Sequence, residues 1–151
     1  MAELWFYHLE RTGLESVLPE LLEKTLARGW RARVEVGSAE RADALCTQLW
    51  TYRDDSFLPH GTVSDGHAGG EPVLIATEGP NLNKADVLFL VDGGALSPAR
   101  ITQFARAILI FDGRDEAAVL AAREQWRTAK AADIPVTYWQ QSAGGKWEKK
   151  G

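Results

Sequence analysis

Pro72-Val73-Leu74-Ile75-Ala76 and Asp86-Val87-Leu88-Phe89-Leu90-Val91 are unbroken apolar runs of strand length, separated by Glu78-Gly79-Pro80-Asn81-Leu82-Asn83-Lys84. A strand wetted on one face alternates apolar and polar residues. One covered on both faces reads as continuous apolar sequence, so these runs point to a parallel sheet held between helices. Ala107-Ile108-Leu109-Ile110-Phe111 is another such strand.

Helical signals fill the intervals. Leu4-Trp5-Phe6-Tyr7-His8-Leu9 reads as a buried first strand, and Leu14, Val17, Leu18, Leu21, Leu22 and Leu26 then recur at the spacing of an amphipathic helix ending near Gly29. Arg31 to Val36 alternates like a strand, and Ala39 to Trp50 is helical by propensity behind a Ser38 N-cap. Ser97-Pro98-Ala99 starts a short helix, Asp115 to Ala132 is a long alanine-rich one, and Val136 to Trp139 is a last strand. Thr62 to Gly70 is polar and glycine-rich, as expected of an exposed connection. Strands alternating with helices imply an α/β fold: a single three-layer α/β/α Rossmann-like domain with a mostly parallel sheet over residues 1–141, followed by a flexible C-terminal tail, 142–151.

The chain has 151 residues, enough for one domain with a substantial core. It is 45% hydrophobic and 25% charged, with no apolar run near the roughly 20 residues of a membrane span. Met1-Ala2-Glu3-Leu4-Trp5 lacks the basic start of a signal peptide, and the lone Cys46 can form no internal disulfide. The cytoplasm is the expected compartment. A formal charge of −4 and a pI near 5.4 oppose a broad phosphate-binding surface, so DNA is expected only as an indirect partner.

Cofactor motifs are missing. Glu10-Arg11-Thr12-Gly13 stands where a Gly-x-Gly-x-x-Gly turn would follow the first strand, and no Gly-x-x-x-x-Gly-Lys-Ser/Thr occurs. His8, His60, His67 and Cys46 lack the short spacings of metal ligands, and adjacent Asp54 and Asp55 have no third acid nearby. No cofactor or metal is expected, and no catalytic residue.

The helix from Asp115 gathers Ala118, Ala121, Ala122, Gln125 and Ala129 on one side, and Val119, Arg123, Trp126, Arg127 and Lys130 on another. Alanines allow close approach to a sheet, which makes their side the expected core face and turns Trp126 outward among cations. An indole edged by Arg and Lys suits an acidic peptide with an aromatic anchor. The alternative is that Trp126 packs on a strand while the cations only solvate the helix.

Leu49-Trp50-Thr51-Tyr52-Arg53-Asp54-Asp55-Ser56-Phe57-Leu58-Pro59-His60-Gly61 places aromatics among charged and turn-forming residues. Buried loop aromatics are the ordinary explanation. Taken with Phe6-Tyr7-His8-Leu9 before it and Pro72-Val73-Leu74-Ile75 after it, the stretch resembles the chi subunit of bacterial DNA polymerase III. The resemblance covers most of residues 4–139 and is strongest from Trp50 to His60.

The resemblance implies a noncatalytic accessory subunit of the DNA polymerase III holoenzyme, associated with the clamp loader. It implies that the acidic C-terminal tail of single-stranded-DNA-binding protein binds at Arg123, Trp126, Arg127 and Lys130. It further implies that the psi subunit, or a competing helicase-like protein, binds at Trp50 and Phe57, with Leu58, Pro59 and His60 shaping the loop. Two other readings stay open: a nucleotide-binding α/β enzyme using Asp54, Asp55 and His60, and a direct single-stranded-DNA binder.

Overall fold

A computed structural model describes residues 3–9, 14–51, 61–62, 72–77, 84–91, 98–141 and 147–149. Its strands are β1 (Glu3–Leu9), β2 (Ala32–Glu35), β3 (Gly61–Thr62), β4 (Val73–Ala76), β5 (Val87–Leu90), β6 (Arg106–Asp112), β7 (Val136–Gln141) and β8 (Trp147–Lys149). Its helices are α1 (Leu14–Ala27), α2 (Ala39–Thr51), α3 (Pro98–Ile101) and α4 (Glu116–Ala131). The sheet order is β3-β4-β2-β5-β6-β1-β7-β8, parallel throughout except for the antiparallel β7–β8 pair.

Period-two alternation sorts each strand between two cores. Tyr7, Leu9, Val34, Val73, Phe89 and Ile110 face Val17, Leu18, Leu22, Leu45 and Leu49 from α1 and α2. Leu4, Phe6, Leu88, Leu90, Leu109 and Phe111 face Ile101 of α3, Phe104 after it, and Ala122 and Ala129 of α4. The apolar runs quoted above are therefore continuous because a helical layer covers each face, giving the three-layer α/β/α arrangement.

Two departures from the sequence expectation have physical causes. Arg33 and Glu35, on the apparently polar side of an alternating strand, are buried at 1% and 2% exposure. Arg33 Nε donates to Glu35 Oε2 at 2.8 Å, Arg100 of α3 grips the same carboxylate at 2.9 and 2.5 Å, and Arg33 Nη2 reaches the Thr77 carbonyl at 2.8 Å. Buried charge is tolerated only when paired and hydrogen-bonded in this way. The second departure is in the tail: Trp147–Lys149 pairs with β7 as β8, and Trp147 meets the edge of the Tyr7 ring at 4.9 Å.

Candidate functional site

The α4 face is set by both ends of the helix. Asp115 caps the start, its carboxylate accepting from Ala117 N at 3.0 Å and Ala118 N at 3.4 Å. Asp133, at φ 59°, turns the chain back, and Ile134 N closes on Ala129 O at 3.0 Å before β7 begins. Ile134 joins Ala129 in the core, so the helix is pinned above β6 and β7.

Trp126 is half-buried. Its ring centroid lies 5.8 Å from Phe6 and 5.9 Å from Tyr138, and Phe6 and Tyr138 stack on each other at 5.9 Å. Beside them His8 Nδ1 shares a 2.5 Å hydrogen bond with the Tyr138 hydroxyl, and its ring lies 4.9 Å from Phe111. Parallel pairing of Phe6 with Tyr138 in register brings this floor together. Gly113 leaves room for it, since a Cβ there would stand 1.8 Å from His8 Nε2.

The expected split of α4 into an alanine side and an outward tryptophan is corrected. Ala122 and Ala129 are buried, but Ala121 is exposed and Trp126 leans onto the sheet. The reason is the breadth of a packed helix stripe: it spans more than 100°, enough to take in Val119 and Trp126 beside the alanines. The exposed part of the indole still borders the cations.

Lys130 Nζ lies 5.3 Å from the Trp126 ring centroid, within reach of a cation–π contact. Arg123 is exposed and makes no ion pair among the described residues. Arg127 is held by Glu124 at 2.6 Å, but both side chains are highly exposed, at 72% and 68%, so solvent screens the pair and leaves the guanidinium available to a competing anion. All four residues expected to act together therefore share one strip, at i, i+3, i+4 and i+7.

Before the start of α4, Arg114 grips Asp112 at 2.9 Å. The Asp112 carboxyl lies below its ordinary range, chiefly through hydrogen bonds from the Arg114 side chain and backbone. Sequence reasoning missed Phe6, His8 and Tyr138 as the floor of this site. The cue is the alternation in β1, which sets Phe6 and His8 on one face.

Trp50 lies in the last turn of α2, with its side chain outside the described set. Phe57, Leu58, Pro59 and His60 lie outside the described residues, as do Asp54, Asp55 and His67. Among the described residues no group of three or more His, Cys, Asp or Glu could hold a metal ion, and no helix is long and apolar enough to cross a membrane.

Fold and site define the class: a three-layer Rossmann-like α/β domain that presents an indole and cations along one helix. A family model described as "DNA polymerase III chi subunit, HolC" matches residues 1–137, and the chain belongs to that family. A similar curated protein, "Probable DNA polymerase III subunit chi" of Rickettsia prowazekii (strain Madrid E), is 26% identical over 111 residues, 74% of this chain. The match spans 66% of that relative's own length.

Proposed function

We propose that the chain is a noncatalytic accessory subunit of the DNA polymerase III holoenzyme, working in the cytoplasm at the nucleoid-associated replisome. It links the clamp-loader side of the replicase to single-stranded-DNA-binding protein by gripping that protein's acidic C-terminal tail. The observation that carries this reading is the half-buried Trp126 on its aromatic floor, with Lys130 5.3 Å from its ring and Arg123, which makes no ion pair among the described residues, one helical turn before it. A ring locked by packing offers contact area at low entropic cost, and the neighbouring cations pair with carboxylates.

A second surface, for the psi subunit or a helicase-like competitor, is assigned to Trp50, Phe57, Leu58, Pro59 and His60. In the sequence these residues follow the start of the last turn of α2, which ends at Thr51, and precede β3, which begins at Gly61. A modest affinity for each tail then becomes persistent attachment, because many tails are displayed along coated DNA.

Binding of intact single-stranded-DNA-binding protein, compared with the same protein lacking its acidic tail, tests this function. The intact form binds and the truncated form does not. Equal binding of the two would remove the tail from the mechanism.

A further inference from the structure

The sheet face opposite α4 carries a second feature. Beneath the last turns of α1 lies a cavity of about 440 Å³, floored by Leu21, Val87 and Ile108. Its walls are aromatic and cationic: Trp5, Tyr7 and Trp30 with Lys24, Arg28 and Arg106.

Local backbone geometry builds the wall. Gly29, at φ 81°, turns the chain after α1, and Trp30 N bonds back to Thr25 O at 3.3 Å, which brings its indole into the cavity lining. Arg106 reaches in from β6 and lies between the indoles, its guanidinium carbon 3.8 Å from the Trp5 centroid and 5.5 Å from that of Trp30. Arg28 lies 4.3 Å from the Trp30 centroid.

The charges in this cavity do not balance. Glu3 is the acid beside it, 3.6 Å from Arg106 Nε and hydrogen-bonded to Trp5 Nε1. Arg106 Nε is buried with no hydrogen-bond partner among the described residues. Lys24 and Arg28 make no ion pair there either, although Lys24, in the last turn of α1, offsets the negative end of the helix. Burial, opposed by Glu3 and aided by Arg28, lowers the Arg106 pKa, the condition that a bound anion relieves.

We propose that this cavity binds a nucleoside monophosphate unit, free or at the 5′ end of a single strand. The phosphate meets the edges of Arg28, Arg106 and Lys24, and the base lies toward Trp5 and Trp30. Among the described residues, three cations against one carboxylate match a phosphate dianion better than a single carboxylate. The cavity is larger than a bare phosphate needs and falls within the ~300–1,000 Å³ range of small-ligand sites. A peptide end would leave backbone groups unpaired against the apolar floor, at a cost that a planar base avoids.

Equilibrium dialysis of the full chain with deoxyadenosine monophosphate, deoxyadenosine, inorganic phosphate and a short 5′-phosphorylated oligodeoxyadenylate tests the site. The monophosphate is retained at least about tenfold more strongly than deoxyadenosine or phosphate alone. Combined Lys24→Ala and Arg28→Ala, both exposed, lowers that retention about tenfold, with a thermal melt confirming the variant is folded, while Leu120→Ala, exposed on α4 of the other face, leaves it unchanged. Tighter binding of the oligonucleotide identifies a strand end as the source, and equal binding identifies the free nucleotide. Equal retention of deoxyadenosine and its monophosphate overturns the proposal, as does no retention of either phosphorylated probe at millimolar concentration. So does retention unaffected by the double substitution, or a preference for an acidic peptide that the double substitution removes.

Discussion

Trp126 of α4 rests on Phe6 of β1 with ring centroids 5.8 Å apart and planes tilted by 49°. Helix and sheet meet through a residue that also borders the outer cations. Stability and binding are therefore coupled at this indole and separable at its neighbours.

Trp126→Ala removes a half-buried ring from Phe6 and Tyr138 and costs about 2 kcal/mol of folding stability, below the value for a fully buried tryptophan. Arg123→Ala leaves stability within about 0.5 kcal/mol because the side chain is exposed and makes no ion pair among the described residues. Urea unfolding of both variants checks the contrast.

Glu35 ties β2 to α3 through Arg33 and Arg100. Burial pushes its carboxyl upward, but the hydrogen bonds and charges of Arg100 and Arg33 outweigh this and hold it below the ordinary glutamate range. Stability from the ionised carboxylate is fully present above the unfolded pKa of about 4.3 and is lost as pH falls through the lower folded value. Glu35→Ala, which strands two buried or half-buried guanidinium groups, costs about 3–5 kcal/mol. Thermal melts of wild type and variant from neutral pH down into the acid range check both the sign and the size.

Gly113→Ala places a methyl group where the His8 ring now lies. Displacing that ring breaks its bond to Tyr138 and costs about 1–3 kcal/mol. His8→Ala in the same chain opens the space, so the double variant loses less than the two single losses added. Chemical denaturation of the three variants measures the coupling.

Gly29→Ala isolates a backbone effect. No atom lies within 4 Å of the added Cβ, so its cost comes from the positive φ of 81° alone, about 1 kcal/mol. Calorimetric unfolding reads it. A loss much larger than this would show that the Trp30 reversal holds more of the fold than its contacts indicate.

The layered sheet is legible because its information is in residue type: 72–76, 87–91 and 107–111 are apolar on both alternating sets. Other features were hidden by sequence distance. Glu35 meets Arg100 from 65 residues away, so a buried ion cluster resembled a wet strand face. His8 and Tyr138 are separated by 130 residues, which concealed the aromatic floor although both strands were visible.

The tail and α4 failed for different reasons. Glycines and lysines in 142–151 suggested a loose end, while Trp147, whose indole needs cover, was the opposing cue. On α4, helical projection treats each residue as a direction without size. It could not show that the large ring of Trp126 would lean onto the sheet while small Ala121 stayed exposed.

The most direct measurement is calorimetric titration of the chain with an acidic, Phe-terminated peptide, repeated with Arg123→Ala. The account predicts saturable binding that weakens as salt rises and a loss of at least about tenfold, 1.4 kcal/mol, in the variant at unchanged stability. Equal affinity in wild type and variant would place the acidic tail elsewhere and contradict the account.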